Sequence, residues 1–266
     1  MNKIIILVLT SDTYPSYRNH KVQKKTWAIE QSENIKIYFY KAGKDTVLKN
    51  NNLIVKSGSR ADEIGYKNYE ALDWIMKNED FDYLYRTNTS SFINIKNLDD
   101  YINNFHKNQD FIYDGIIMSL RNKNDNTYIK FVSGSGILFS KKTIEVLIDN
   151  KNEYDHNLWE DVAIGELLNK KGIFPTEGKR YDIQGNIYKE TIDLNHYHYR
   201  CRIDNHYGYP RFLEKRVLSE LDYRTKNSKS SNKKYIDLII FEICKLFYIQ
   251  MPFWKIYKFF RNLFKT

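Results

Sequence analysis

Cysteine is scarce. The 266-residue chain has two, Cys201 and Cys244, without metal-ligand spacing and too few for a disulfide framework. A thiolate metal site and a disulfide-stapled secreted scaffold are therefore excluded, and a reducing cytosol is the expected compartment. Uninterrupted apolar runs of membrane-spanning length are also missing, because Lys245 breaks the one long apolar segment, residues 235–264. The N-terminal run Ile4-Ile5-Ile6-Leu7-Val8-Leu9 sits at the short limit for a signal peptide, and no small-x-small cleavage site follows it. It reads better as a first buried strand of a parallel sheet. No internal repeat is present.

A basic stripe on the folded body is lacking too. The formal net charge is +9, but residues 226–266 hold nine Lys or Arg against Asp237 and Glu242, a net of +7, which leaves +2 for the rest. A nucleic-acid reader would carry that excess on its body. Nucleic acid is therefore not an expected partner, and the basic character belongs to the tail. What the chain does have is apolar content of 42% and aromatic content of 15%, enough for a folded core. The length suits one large domain with an appendage.

Hydrophobic periodicity then alternates between strand and helix. Strands are expected at residues 4–9, 35–40, 52–55, 81–88 and 111–119, and at 128–139, which contains a Ser133-Gly134-Ser135-Gly136 turn. Helices are expected at 17–32, 60–78, 98–105, 143–149 and 161–171, the last ended by Gly172. This alternation predicts an α/β fold, a mostly parallel Rossmann-like sheet flanked by helices on both faces. Residues 1–224 form this domain, 225–234 a polar linker, and 235–266 a C-terminal helical appendage. Pro252 begins a second helix in that appendage. Its Lys255, Lys258, Arg261 and Lys265 share one narrow face, with aromatic and aliphatic residues around the rest. Such a helix suits an anionic membrane surface; a helical pair docked on the protein's own core is the plainer alternative.

The most informative stretch is Phe81-Asp82-Tyr83-Leu84-Tyr85-Arg86-Thr87-Asn88-Thr89-Ser90-Ser91-Phe92-Ile93. An apolar strand ends abruptly in small polar side chains, at the carboxyl end where open α/β sheets bind ligands. Thr10 occupies the same position after the first strand. The segment Leu194-Asn195-His196-Tyr197-His198-Tyr199-Arg200-Cys201-Arg202 alternates, which places His196, His198, Arg200 and Arg202 on one face. That face is either a phosphate contact or simply a polar sheet face. A metal site on the two histidines lacks further ligands.

Four segments together resemble the β-1,3-galactosyltransferase and Fringe group of glycosyltransferases, which have a GT-A fold. They are Tyr17-Arg18 through Lys24-Lys25-Thr26-Trp27; Ala71-Leu72-Asp73-Trp74 running into the Arg86 to Ser91 tip; Ser133-Gly134-Ser135-Gly136-Ile137-Leu138-Phe139-Ser140; and Glu160-Asp161-Val162-Ala163-Ile164-Gly165. They follow the family's order across roughly two-thirds of the chain, residues 1–172. The resemblance implies a GT-A-like sheet and inverting transfer of a sugar from a nucleotide-sugar donor, usually a UDP sugar, to a glycan or lipid-linked acceptor.

Inversion needs a base opposite the leaving group. Asp161 matches the family's acidic pair, at a helix N-terminus whose dipole favours a carboxylate, with Glu160 supporting the loop or acceptor. On chemistry alone the pair could equally begin and cap the helix. Expected donor contacts are Thr10, Arg18, Lys24, Arg86, Thr87, Asn88, Ser90, His198 and Arg200. Expected acceptor contacts are Trp159, by stacking, and Ser133, Gly134 and Ser135.

One departure stands out. Where the family carries an acidic triplet for Mn²⁺ or Mg²⁺, this chain carries Asn88-Thr89-Ser90, and hard divalent cations need carboxylate oxygens. The expectation is an enzyme that requires no metal, with Arg86, Arg200 and Arg202 pairing with the diphosphate. It would be cytoplasmic and peripheral to a membrane through residues 235–266. A non-catalytic nucleotide-sugar or glycan binder and a basic membrane-binding adaptor are the alternatives.

Overall fold

The computed structural model describes residues 2–107, 109–121, 128–204, 208–232 and 234–250. In chain order the elements begin with β1 (Ile4–Leu9), α1 (Ser16–Gln23), β2 (Ile35–Gly43), β3 (Val47–Lys49), β4 (Asn52–Lys56) and α2 (Ile64–Asn78). They continue with β5 (Tyr83–Asn88), β6 (Ser91–Ile93), α3 (Ile95–Phe105), β7 (Tyr113–Arg121), β8 (Tyr128–Ser140), α4 (Lys141–Asp149) and α5 (Glu160–Lys170). The last are β9 (Thr176–Glu177), β10 (Arg180–Asp182), β11 (His198–Arg200), α6 (Glu214–Asn227) and α7 (Lys234–Gln250).

Eight strands form one sheet in the order β3-β4-β2-β1-β5-β8-β7-β9. The strands β4, β2, β1 and β5 are mutually parallel, and β8 runs antiparallel to both β5 and β7. Only β3 and β8 run against the other six, so the mostly parallel α/β sheet expected from the sequence is the one found. Alternation along the strands fills both faces. Ile4, Ile6 and Val8 enter one core with α3, α6 and α7, whereas Ile5 and Leu7 enter the other with α2, α4 and α5. Burial on both faces is why β1 is apolar at every position. A second, small sheet, β10-β11-β6, includes the short strand that directly follows β5.

Local chemistry sets the element ends. The Asn94 side chain accepts from the Asn97 N–H at 3.1 Å and starts α3, and Ser140 caps α4 through the Thr143 N–H. Gly172, at φ +77°, ends α5 as expected. The first helix is shorter than residues 17–32: it stops at Gln23, where Thr26 turns its hydroxyl back onto the Val22 carbonyl at 2.9 Å. A short 3-10 turn, Trp27–Ile29, follows and buries Trp27.

Two expectations are corrected. The Ser133–Gly136 segment is not a turn but lies inside strand β8, where the pairing with β7 shifts register between Gly115 and Ile117 and Gly136 pairs with Thr87 of β5. The glycine serves close packing, because a Cβ at Gly136 would fall 2.2 Å from the Tyr85 hydroxyl and 2.6 Å from the His198 ring. The polar linker is also shorter than 225–234, since α6 carries the chain to Asn227 with the Thr225 hydroxyl bonded to the Leu221 carbonyl at 3.0 Å.

The first helix of the appendage is docked, as in the plainer alternative. Phe241 is fully buried, the Tyr188 hydroxyl donates to Asp237 at 2.7 Å, and Asn186 donates to Glu242 at 3.0 Å. The second helix, with Lys255, Lys258, Arg261 and Lys265, lies outside the described residues. Among the described residues, no helix is long and apolar enough to cross a membrane.

Truncating Phe241 to Ala should cost about 3–5 kcal/mol, as for a large aromatic removed from a packed core. Thermal unfolding of Phe241→Ala would then show a Tm lowered by more than about 6 °C; an unchanged Tm would mean that α7 does not pack on the body.

Candidate active site

Leu9 ends β1 with Thr10 directly after it, Lys41 and Ala42 lie near the carboxyl end of β2, and Asn88 ends β5. The parallel register places Leu9 opposite Tyr40 and Asn88, so these ends share one edge of the sheet. Two adjoining cavities open there. The first, about 510 Å³, is lined by Arg86, Gly134, His156, Trp159, Glu160 and Asp161 among others. The second, about 670 Å³, is lined by Thr10, Asn88, Thr89, Ser90 and Ser135 and by the cations Lys41, Arg60, Lys67, Arg200, Arg202 and Arg211. Leu9, Ile64 and Asn88 line both.

Arg86 organises the first cavity. It is 2% exposed and pairs with Glu160 at 3.0 Å. It also donates to the Gly134 carbonyl and, through Nε, to the Tyr40 hydroxyl at 3.2 Å. Tyr40 in turn donates to Asn68 Oδ1 at 3.1 Å. Gly134 is the meeting point: its N–H donates to Asp161 Oδ2 at 2.9 Å, and a Cβ there would lie 3.1–3.2 Å from Arg86, Asp161 and Glu160. Asp161 Oδ1 accepts from the Val162 N–H at 3.1 Å, so the carboxylate is fixed across the first turn of α5. Burial pushes the Glu160 carboxyl up to about 7; Arg86 opposes the rise and the Asp161 charge adds to it. Glu160 Oε1 is buried without a hydrogen-bond partner among the described residues.

On the outer rim, Trp159 is 81% exposed at the start of α5. The ring of Tyr66 stacks on His156 at 3.6 Å. Two aromatic faces therefore border the acid pair, a lining that suits the apolar face of a sugar ring.

The polar tip of β5 does not fit Mn²⁺ or Mg²⁺. The Asn88 Oδ1 accepts from the Ser90 N–H at 2.9 Å, and the Thr89 hydroxyl donates to Ser16 at 3.1 Å. The Ser90 hydroxyl donates to Glu214 at 2.8 Å and accepts from Arg211 at 2.8 Å. All three side chains are already engaged, and a guanidinium stands beside them, stabilised by Glu214 at 2.6 Å. Among the described residues, no group of three His, Cys, Asp or Glu side chains is placed to hold a metal ion.

The structure brings Thr10, Asn88, Ser90, Arg200 and Ser135 to the second cavity, and Arg86, Asn88, Gly134, Trp159, Glu160 and Asp161 to the first. The other expected contacts are displaced. Arg18 is exposed and lies over the Tyr14 and Tyr17 rings, and Lys24 is exposed against Asn52 and Phe39; both stand on the outside of the N-terminal segment. Thr87 is fully buried and donates to the Ser135 carbonyl, because it points to the opposite face of β5 from Arg86. His198 is 1% exposed and bonded to Ser91 at 3.0 Å; burial, then Arg180 and Arg200, holds its imidazole well below its usual range. Ser133 lines neither cavity and bonds Ser135. Arg86, expected to face phosphate, is consumed by the Glu160 pair.

Arg211, Lys67, Lys41 and Arg60 line the second cavity without having been expected there. Lys67 carries a signal in hindsight: it occupies the 64-67-71-75 stripe of α2, a cation at a position where Ile64, Ala71 and Ile75 are apolar.

No protein-family model matches the chain, and no curated protein matches it. Solved structures similar to it include a glycosyltransferase involved in glycosylation of the major capsid of PBCV-1. That likeness has 10% identity and a TM-score of 0.47, covering 81% of this chain and 98% of that one. The glycosyltransferase GlyE of Streptococcus pneumoniae TIGR4 is similar at 12% identity and TM-score 0.43, over 84% of this chain and 61% of that one. A Francisella tularensis 2-C-methyl-D-erythritol 4-phosphate cytidylyltransferase is similar at 13% identity and TM-score 0.36, over 66% of this chain and 89% of that one. At these identities and TM-scores the likeness assigns no activity, and the chemistry of the site has to carry the function.

The Glu160 shift has a stability consequence. The folded-state carboxyl lies near 7 against an ordinary 4.5, so its contribution is present below about 4.5 and is lost as pH rises to about 7. Denaturant midpoints should therefore fall more steeply across that window in the wild type than in Glu160→Gln, whose side chain does not titrate. Parallel pH profiles for the two proteins would overturn the burial of this acid.

Proposed function

We propose that the chain is a glycosyltransferase that moves a sugar from a nucleotide-sugar donor to a glycan or lipid-linked acceptor, with inversion and without a required metal. The observation that carries this reading is the junction of two cavities: a cation-lined cleft meets an acid-bearing, aromatic-rimmed cavity at Leu9, Ile64 and Asn88. The cleft suits the nucleoside diphosphate and the adjoining cavity suits an acceptor hydroxyl. A UDP sugar is the donor implied by the resemblance.

In this reading Asp161 takes the proton of the acceptor hydroxyl as its oxygen bonds to the anomeric carbon. The bond from that carbon to the phosphate oxygen breaks, and its electron pair leaves on the diphosphate. Arg200, Arg202 and Arg211 stabilise that charge, as oriented guanidinium groups do for phosphate oxygens. Arg86 acts one step back: it holds Glu160 and the Gly134 carbonyl, and so fixes the first turn of α5 that carries Asp161. Trp159 stacks on the acceptor.

The membrane reading continues from α7. Its outward face exposes Tyr235, Ile236, Ile239 and Ile243, and the sequence beyond it is basic and aromatic. An anionic lipid surface is the partner this combination fits, and it would hold the active site near a membrane-borne acceptor. Ile239→Glu with Ile243→Glu should abolish co-sedimentation with phosphatidylserine vesicles at low salt; retention by the double variant would refute this face as the contact.

Transfer or hydrolysis across a panel of nucleotide sugars should persist in EDTA and fall by about 10²–10⁴-fold in Asp161→Asn. Activity abolished by EDTA would show that a metal is used at other ligands. Nucleotide binding without turnover of any donor would favour the non-catalytic binder, for which the neutral Asn88-Thr89-Ser90 tip is the motivating feature.

A further inference from the structure

Among the cations of the second cavity, one differs in its surroundings. Lys41 pairs with Asp12 at 2.7 Å, Arg60 with Asp62, Arg202 with Asp204 at 2.9 Å, and Arg211 with Glu214 at 2.6 Å; Arg200 has Asp182 at 3.9 Å. Lys67 is 6% exposed and lines the same cavity. Among the described residues its side-chain ammonium makes no hydrogen bond or ion pair, and the carboxylate that acts on it is that of Glu63, one turn earlier on the chain. Burial accordingly lowers its pKa from the ordinary 10.5.

An ammonium drawn partly out of water, with no hydrogen-bond partner and only a carboxylate one turn away, destabilises the fold that holds it. Methionine would fill a similar volume in the apolar stripe of α2 at no such cost. The position is therefore explained by what enters the cavity, where, among the described residues, the lysine is a lining cation with no carboxylate within ion-pair distance and only the more distant Glu63 charge for partial compensation. The other cations flank the cleft with their charges largely compensated; Lys67 lines it one helical turn from Ile64, which borders both cavities.

We propose that Lys67 is an anion anchor of this cleft, and that the group it holds is a phosphate of the bound nucleotide. The inference rests on the nucleotide-sugar reading for the identity of the ligand, but not for the existence of the anion site. Lys67 would form a charge-assisted hydrogen bond to a phosphate oxygen and supply the charge that a neutral β5 tip does not recruit through a metal ion.

The test is calorimetric titration of the full chain with UDP, with inorganic pyrophosphate and with uridine, for wild type, Lys67→Met and Lys67→Arg, beside their ligand-free Tm values. The expected result is a loss of about 10- to 100-fold in UDP and pyrophosphate affinity in Lys67→Met, the worth of one charge-assisted bond. Uridine binding is unchanged, and Lys67→Arg recovers most of the loss. Ligand-free Lys67→Met is expected to melt higher than wild type, on the order of 2–4 °C, because the unpaired charge is gone; a raised Tm also shows that the variant folds. Equal affinity of Lys67→Met and wild type for UDP and pyrophosphate, or no binding of either by wild type, overturns the anchor. Lys67-dependent pyrophosphate binding with no nucleotide sugar turned over would uphold the anchor and remove the transferase reading.

Discussion

The ion pair between Arg86 and Glu160 is the constraint on which the rest of the site depends. A guanidinium in the middle of a buried strand is tolerated only if every direction it faces is satisfied. Arg86 meets the Glu160 carboxylate, the Gly134 carbonyl and the Tyr40 hydroxyl, and Tyr40 passes the contact on to Asn68 in α2. One side chain thus fastens β2, β5, β8, α2 and α5, of which β5, β8, α2 and α5 wall the first cavity. Removing the Glu160 side chain would leave the Arg86 guanidinium with only its two neutral acceptors, the Gly134 carbonyl and the Tyr40 hydroxyl. The same pair fixes the first turn of α5, and with it the place of Asp161 above Gly134.

Gly134 is what allows that closure. Its backbone gives the N–H to Asp161 and the carbonyl to Arg86, and the space a side chain would take is filled by the three charged groups around it. Gly136, two residues on, does the equivalent on the other face of β8, against Tyr85 and His198. The Ser-Gly-Ser-Gly run is therefore a strand thinned on both faces so that polar groups can approach it.

In the proposed reading, the second cavity meets a diphosphate with guanidinium and ammonium charge in place of a metal ion. A carboxylate tip on β5 would recruit a divalent cation to meet a diphosphate. Here the tip is neutral, and Arg211 stands beside Ser90 with its own buried counter-ion, Glu214. A guanidinium held this way is oriented in advance and presents its remaining donors to the cleft. Glu214 also draws Asn19 of α1 and Ser90 together, at 2.6 and 2.8 Å, so the C-terminal third of the chain completes a site begun by the N-terminal half.

The apolar strand β1, the alternation between strand and helix, the end of α5 at Gly172 and the placing of the Asn88–Ser90 tip at the cavity-bearing edge of the sheet were all legible in the sequence. Each is set by local pattern: buried strands must be apolar throughout, helices need a 3.6-residue stripe, and a glycine can take the left-handed φ that ends a helix. Asp161 and Glu160 were legible as a pair by their position before a helix. Their different settings were not, since Glu160 is buried by β5 and α5 closing together whereas Asp161 is held by Gly134. Arg86 looked like a phosphate ligand because its neighbours in sequence face the cleft. Pairing with Glu160, 74 residues away, turned it into a structural clamp. His198 and Thr87 likewise went to a buried face, a choice fixed by strand pleat and register. Arg211 and Lys67 carry no motif, and only the packing of α6 and α2 against the sheet brings their charges to the same cleft. The sequence by itself determined where strands end and which chemistry is available there; the tertiary structure decided which charges are neutralised by the protein and which are left for a ligand, because pairing depends on distances that sequence separation does not encode.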